Sequence, residues 1–310
     1  MDKIYCNVSS FNRKKTLIKT IESIYDQCDV INVALNNYDE IPQELYDNKI
    51  NIFITNNEKG DAYKFIDLTN SNGYFFTMDD DLVYCQDYVK NMVDNVEKYG
   101  RKNIITLHGR SFKKFPIRSY YNDTTKVYHF SNQLDKDLNV NVGGTGVMAF
   151  HTELFKVDIN FFEKPNMADI WIAAIAKKKS IPITCVKHTS KDVIQQDISE
   201  SIYSIHQKND LIQTQVLNYI FDSKINLEDL KNLKIFEQTT NTPITPPHEQ
   251  VKIIKTLEKT QKKINYDKIN SIFNFNNPNI VLKEKQEKQI INLKLNTSIH
   301  SKMFPKNKKR

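Results

Sequence analysis

The sequence predicts an α/β protein in which helices cover both faces of a mixed, mainly parallel sheet. Two observations favour this fold: short apolar runs alternate with segments of helical periodicity, and the links between them are short. The chain has 310 residues, 39% of them hydrophobic, and its 15 Tyr and 17 Phe can fill a sizeable core. This composition excludes a wholly disordered protein.

The elements can be placed in order along the chain. The first five strands are expected at residues 4–8, 30–35, 50–55, 74–78 and 103–107. Ser9, Ser10 and Asn12 offer N-caps for the first helix, whose apolar residues recur at helical spacing between positions 17 and 25. Further helices are expected at 60–68, 87–99, 167–177 and 201–221, and further strands at 127–130, 139–142, 147–150 and 181–186.

A change of composition near residue 236 predicts a second region. Residues 236–248 are rich in Thr and Pro and are interpreted as a linker, which leaves residues 1–235 as the folded body. In residues 249–310, basic helices are expected at 249–264, which is amphipathic, and at 283–295, with a loop at 274–279. Residues 251–310 hold 15 Lys and Arg against 4 Asp and Glu, although the whole chain has a net charge of only +7. The body is therefore mildly acidic, and the C-terminal helical appendage is strongly basic.

Three kinds of partner fit this basic appendage. A basic amphipathic helix can bind an anionic membrane surface. It can instead pack its apolar stripe on the body or on a second copy of the chain, which would give a homo-oligomer. Nucleic acid is the third partner, and the sequence favours it least because few aromatic residues are available for stacking.

The cellular location is expected to be cytoplasmic, with at most a peripheral position on the inner face of the membrane. No apolar run approaches the ~18–20 residues that span a bilayer, and no apolar signal segment precedes the N-terminal basic cluster. The four cysteines are widely spaced and form no CxxC pair, so we expect reduced core thiols: Cys6, Cys28, Cys85 and Cys185.

Three consecutive carboxylates, Asp79, Asp80 and Asp81, directly follow the apolar run at residues 74–78. Ligands of α/β proteins bind at the carboxyl ends of parallel strands, and residues two apart in an extended segment share a face. Asp79 and Asp81 are therefore expected to converge on a divalent cation that also binds a diphosphate. The structural alternative is an acidic loop or a helix N-terminus, where Asp is also favoured.

Several motifs occur in a specific order around this triplet. They are Ser9–Arg13 (SSFNR) after the first strand, Asn36-Asn37 after the second, Lys59-Gly60-Asp61 before a helix, the Asp triplet, Gly143-Gly144-Thr145-Gly146, and 166–171 (NMADIW). This order and spacing resemble the family 2 glycosyltransferases of the GT-A, or Rossmann-like, fold. The resemblance extends to the bacterial enzymes that build capsule, lipopolysaccharide and related surface glycans, and it covers about residues 1–220.

The resemblance implies a nucleotide diphosphate sugar as donor, usually a UDP-sugar. It places Ser9, Arg13, Asn36, Asp61, Lys64, Asp79 and Asp80 at the donor nucleotide. Asp81 and Asp79 would bind Mn²⁺ or Mg²⁺. Family members often have an acidic residue after the second strand, where this chain has Asn36 and Asn37. An amide can still pair with a uracil edge, because it offers both a donor and an acceptor.

On the acceptor side, the resemblance implies that Asp169 is the general base. An inverting transferase needs a carboxylate that removes the proton of the attacking hydroxyl. Trp171 and Gly144 are assigned to the acceptor or the sugar, and His188 or His206 to the third position of the metal shell. Each has a structural alternative: a first-turn helix charge for Asp169, core packing for Trp171, a plain turn for Gly144 and a surface histidine for the last two.

The expected reaction is metal-dependent inverting transfer of a sugar to a hydroxyl of a glycan or lipid-linked glycan. Two other functions stay open at this point. A sugar-1-phosphate nucleotidyltransferase has a similar layout, but it normally carries a glycine-rich loop after the first strand, which SSFNRKK lacks. A non-enzymatic protein that binds glycans or nucleic acid through its basic region has no use for the carboxylate triplet.

Overall fold

The computed structural model describes residues 2–196 and 210–221. Its strands are β1 (Lys3–Phe11), β2 (Val30–Asn36), β3 (Ile50–Thr55), β4 (Gly73–Asp79), β5 (Leu82–Tyr84), β6 (Ile104–Thr106), β7 (Gly109–Ser111), β8 (Lys126–Tyr128), β9 (Leu138–Val140), β10 (Val142–Gly143), β11 (Val147–His151), β12 (Ile183–Cys185) and β13 (Val193–Gln195). Its α-helices are α1 (Lys14–Ile24), α2 (Tyr88–Lys98), α3 (Ala168–Lys179) and α4 (Leu211–Phe221).

A large mixed sheet has the strand order β3-β2-β1-β4-β11-β6-β12-β9. The four strands β3, β2, β1 and β4 are parallel, and β6 is parallel to β12. β11 runs antiparallel to both β4 and β6, and β9 is antiparallel to β12. The smaller sheets β10-β7-β8 and β13-β5 lie beside it. The expected α/β class and GT-A layout are confirmed.

Two hydrophobic clusters occupy the two faces of the large sheet. Neighbouring residues of β4 divide between them, since Phe76 belongs to the cluster that includes residues of α1 and α2, and Phe75 to the one that includes residues of α3 and α4. The alternation of side chains along a strand produces this division. α3 is buried almost all round, from Ile170 to Ala176, because it packs against β10 of the small sheet and against α4.

The expected N-caps of the first helix are wrong. β1 continues through Ser9 and Ser10 to Phe11, and α1 begins only at Lys14 with no side-chain cap at Arg13. Asn12 has φ of 50°, in the left-handed region that Asn tolerates better than most residues, and this turns the chain from strand to helix. Both serines therefore stay at the carboxyl end of β1.

One other expected element differs from the structure, and one can be assessed only in part. Residues Gly60–Phe65 form a 3₁₀-helix and not an α-helix. Only Leu211–Phe221 of the helix expected at 201–221 can be assessed, because residues 201–209 lie outside the described ranges. The linker at 236–248 and the basic appendage also lie outside them. Within residues 2–196 and 210–221, no helix is long and apolar enough to cross a membrane.

Candidate active site

The site lies at the carboxyl ends of β1, β2 and β4. Ser9 is paired with Asp79 in the register of β1 and β4, and β1 ends opposite Asn36 of β2. The Asn36 amide donates to Ser9 Oγ over 2.9 Å and accepts from Thr55 Oγ1, and Asn36 is 2% exposed. Asn36 thus joins the ends of three adjacent strands. Its amide is engaged with protein, which differs from the exposed base-reading group expected from the sequence.

The Asp triplet divides into three different environments. Asp79 ends β4, whereas Asp80 and Asp81 form the turn to β5. The Asp80 carboxylate is buried, accepts from Ser10 Oγ at 2.5 Å and pairs with Arg13 at 3.2 Å. The same guanidinium pairs with Asp81 at 3.3 Å. Asp80 therefore fixes the turn to the end of β1, and its burial corrects the expectation that it contacts the donor directly.

Lys64 is the central cation of the site. Its side chain is 3% exposed, pairs with Asp79 and lies 3.5 Å from Thr145 Oγ1. Burial alone would lower the pKa of Lys64, but the nearby carboxylates of Asp79, Asp61 and Asp169 raise it above its usual range. Lys64 is therefore a positive charge among three carboxylates. This position is more interior than the contact with the donor nucleotide that the resemblance implies.

Asp169 lies in the first turn of α3. Its Oδ1 accepts two hydrogen bonds from Thr145, one from the backbone N at 2.8 Å and one from Oγ1 at 2.7 Å. Among the residues that the structure describes, no donor is bonded to the second carboxylate oxygen, Oδ2. Burial raises the pKa of Asp169, and the Thr145 bonds oppose this. The carboxylate is thus held in one orientation with one oxygen uncommitted.

Asp61 lies between Lys64 and the start of α3. Its carboxylate accepts from the Ala168 backbone N at 3.3 and 3.4 Å, and its own N–H donates to Asn166 Oδ1. Burial raises the pKa of Asp61 to about 7, where Lys64 opposes the shift and Asp169 adds to it. This carboxylate therefore fastens the 3₁₀-helix Gly60–Phe65 to the helix that bears Asp169.

Negative charge exceeds positive charge at this point of the fold. The carboxylates of Asp61, Asp79, Asp80, Asp81 and Asp169 face the two cations Lys64 and Arg13. Burial, followed by the fields of Asp79 and Asp80, raises the pKa of Asp81 to about 7. A hard divalent cation with oxygen ligands would relieve this excess, so the donor set fits Mn²⁺ or Mg²⁺. As arranged, however, no three His, Cys, Asp or Glu side chains of the described residues converge as a metal cluster.

The expectation that His188 completes the metal shell is not supported by its surroundings. Its side chain is 3% exposed, and its Nδ1 and Nε2 lie 2.7 Å and 3.3 Å from the backbone carbonyls of Val186 and His129. Each ring nitrogen therefore faces a backbone carbonyl, one in the segment after β12 and one in residues 129–134, and a neutral imidazole donates to one of the two. His206, the other histidine proposed, lies outside the described residues.

Trp171 is a core residue and not an exposed sugar platform. It is 1% exposed, its Nε1 donates to the Lys164 carbonyl at 3.1 Å, and its ring packs edge-on against Phe161. It lies two positions after Asp169, a spacing that turns the two side chains to different faces of α3. The tryptophan therefore stabilises the helix that carries Asp169.

The glycines of residues 143–146 allow close contact with protein side chains. A Cβ on Gly146 would lie 2.0 Å from Asp79 Oδ2, and one on Gly144 would lie 2.9 Å from His108 Cβ. Glycine at these two positions therefore makes room for Asp79 and His108, and the assignment of Gly144 to the acceptor or the sugar stays a prediction.

Sequence reasoning missed three residues that hold the site together. Thr145 positions Asp169, as described above. The Tyr84 hydroxyl donates to the Gly146 carbonyl at 2.6 Å and accepts from the Asp79 backbone N. The Tyr38 hydroxyl accepts from the Arg13 backbone N at 2.8 Å. Tyr38 follows the Asn36-Asn37 motif directly, which is the one local signal that could have pointed to it.

Comparison with known proteins gives a family for the segment that carries most of this site. No curated protein matches the chain. The family model described as glycosyl transferase family 2 matches residues 7–158, a segment that contains Ser9, Lys64, the Asp triplet and Thr145. Asp169 lies just beyond that match. The match over residues 7–158 supports a glycosyltransferase domain of this family.

Proposed function

We propose that the chain is a glycosyltransferase that moves a sugar, with inversion, from a UDP-sugar to a hydroxyl of a glycan or lipid-linked glycan, such as those of bacterial capsule or lipopolysaccharide. The observation that carries the proposal is the position of Lys64. It pairs with Asp79 at the end of β4 and lies in the field of Asp169, so one buried cation separates a donor-side carboxylate from a candidate base.

On the donor side, the nucleotide would bind against the carboxyl ends of β1 and β4. Ser9 and Asp79 are adjacent, and Arg13 is fixed by two carboxylates at the start of α1. Phe11 is 49% exposed at the end of β1 and offers an aromatic face on which a base could stack. The domain match supports a nucleotide-sugar donor. The choice of uracil rests on the resemblance, because the Asn36 amide is turned inward.

The carboxylates of Asp79 and Asp81 would hold Mn²⁺ or Mg²⁺. Asp79 is 43% exposed at its side chain and Asp81 14%, so both can be reached from solvent. When bound, a divalent ion neutralises the diphosphate that leaves in the reaction. Binding requires that Asp79 and Asp81 exchange part of their contact with Lys64 and Arg13 for the ion.

On the acceptor side, Asp169 would take the proton. Oδ2 receives it while Oδ1 remains bonded to Thr145, and the C1–O bond to the diphosphate breaks as the hydroxyl oxygen attacks from the opposite face. A carboxylate with a raised pKa is a stronger base than an exposed one, which suits this function. The same Thr145 bonds keep the carboxylate aimed during the reaction.

The test is UDP release from a panel of UDP-sugars with Mn²⁺, for the native chain and for Asp169→Asn. The amide keeps the shape and the Thr145 contacts but cannot accept the proton. We expect at least one donor to be turned over and the variant to lose on the order of 10²–10⁴-fold in rate. UDP affinity should be unchanged. Equal rates in the two proteins would remove Asp169 as the base, and the absence of turnover with every donor would contradict the choice of UDP.

A further inference from the structure

We propose that the acceptor carries an anionic group, a carboxylate or a phosphate, which Arg110 binds beside Asp169. The inference rests on the proposed function, because it names the substrate class for the acceptor side of the same site.

Arg110 is close to the candidate base through the backbone and through one aromatic ring. It is the central residue of β7 and pairs with Val142 of β10, which leads directly into the loop of Thr145. The guanidinium of Arg110 lies over the ring of the buried Tyr120, and the charges of both Arg110 and Asp169 act on the Tyr120 hydroxyl. Arg110 and Asp169 are therefore separated by one side chain, that of Tyr120. Asp169 is the carboxylate that would take the acceptor's proton.

The guanidinium is held ready for a ligand. It lies over the rings of Tyr120 and Tyr121, 5.3 Å and 5.2 Å from their centroids. Contacts of this kind fix a planar guanidinium while its edge stays available for two parallel hydrogen bonds to a carboxylate or phosphate. Arg110 is only partly buried, so a sugar substituent can reach it.

Arg110 also differs from the other arginines of the described ranges. Arg13, Arg101 and Arg118 each form at least one ion pair with a carboxylate. Within residues 2–196 and 210–221, no carboxylate lies at ion-pair distance from Arg110. A partly buried cation that lacks an acidic partner among these residues is a natural site for an external anion.

Two histidines lie near Arg110, and of these three residues only Arg110 is charged at neutral pH. The rings of His108 and His129 are 4.9 Å apart, and His108 contacts the Gly144 backbone. Burial lowers the pKa of both histidines, and Arg110 adds to the shift. At neutral pH they are therefore uncharged and offer hydrogen bonds only. An anionic acceptor near Asp169 would be repelled by that carboxylate, and Arg110 supplies the charge that compensates.

The experiment compares three probes on the full chain with UDP and Mn²⁺ present, by calorimetry or ligand-observed NMR. The probes are methyl β-glucuronide, glucose 6-phosphate and the neutral methyl β-glucoside. The native chain should bind at least one anionic probe about tenfold more tightly than the neutral one, the size expected for a charge-assisted hydrogen bond. Comparison of the two anionic arms shows whether a carboxylate or a phosphate is preferred.

The matched variants are Arg110→Gln and Arg118→Gln. Arg118 has a 93% exposed side chain, so it controls for a general loss of positive charge. Arg110→Gln should abolish the preference for the anion, Arg118→Gln should keep it, and Arg110→Lys should retain only part of it because the planar fork is lost. Thermal melts check that the variants are folded.

Two results would overturn the inference: no preference for either anion in the native chain, or an equal preference in Arg110→Gln. UDP affinity, measured in the same samples, separates this outcome from a failure of the donor site. If UDP does not bind but the Arg110-dependent preference remains, the proposed donor is wrong and the anion site is retained.

Discussion

Replacement of Gly146 by Ala tests whether the position of Asp79 controls donor binding. The new Cβ would lie 2.0 Å from Asp79 Oδ2 and 2.6 Å from its Cγ. Ordinary contact begins near 3.5 Å, so the carboxylate has to move by about 1.5 Å. Asp79 can do this by rotating its half-exposed side chain away, which breaks its pair with Lys64. The cost in folding stability is therefore small, below about 2 kcal/mol, and the damage falls on function.

The expected result is a loss of metal-dependent UDP binding of at least about tenfold, and a fall in turnover on the order of a hundredfold, as a 1 Å misplacement of a reacting group produces. Isothermal titration with UDP and Mn²⁺ measures the first, and UDP release the second. The matched control is Gly100→Ala, where a Cβ has open space but φ is +60°. That variant should lose about 1–2 kcal/mol of stability and bind UDP normally. Native UDP affinity in Gly146→Ala would refute the reasoning.

Three further predictions concern residues outside the central carboxylates. Trp171→Phe removes the hydrogen bond to the Lys164 carbonyl and should lower the free energy of unfolding by about 1–3 kcal/mol, with the KM values unchanged. A raised KM for the acceptor would instead show that Trp171 binds the sugar. His188→Gln should lower the melting temperature and leave the affinity for Mn²⁺ unaltered. A lower affinity for Mn²⁺ in this variant would show that His188 is a metal ligand. Burial lowers the pKa of His108 to about 3, whereas an unfolded histidine titrates near 6.5. The unfolded state therefore binds the extra proton, and urea melts should show stability falling as pH drops below about 6.5, with a flatter slope in His108→Gln.

The elements that the sequence predicted well are those with a strong hydrophobic period. The runs at 50–55 and 74–78 became β3 and β4 almost unchanged. β4 is an apolar strand buried inside the large sheet, and β3 is its edge strand, rich in the β-branched and aromatic residues that favour strands. The position of Asp79 at the end of β4 followed from the same pattern. Asp169 in the first turn of α3 was also placed correctly, since the apolar run at residues 170–176 identifies the helix.

The parts that were not predictable depend on contacts between distant residues. Nothing local shows that Lys64 is buried, because its partner Asp79 is 15 positions away and its neighbour Thr145 is 81 away. The ends of β1 and α1 were misjudged for a different reason. Serines are common caps, and only the left-handed turn at Asn12 shows that the strand continues past them.

A buried polar ladder inside the sheet gives a third example. Asn51 donates to Asn32, Asn32 to Asn7, and Asn7 to the Phe76 carbonyl, over 2.9, 2.7 and 2.9 Å. In the sequence these asparagines interrupt apolar strands, and nothing local indicates that they pair with one another. Paired across three neighbouring strands, they satisfy one another, so the burial of Asn7 and Asn32 is compensated, while Asn51 is exposed on β3.

Calorimetric titration of UDP into the native chain, with Mn²⁺ and then with a chelator, tests the central claim most directly. We expect UDP binding that requires the metal and that is lost in Asp81→Ala, because Asp79 and Asp81 are the proposed metal ligands. UDP binding of equal strength with chelator and in Asp81→Ala would contradict the metal–diphosphate site. Failure of UDP to bind under any condition would contradict the donor itself.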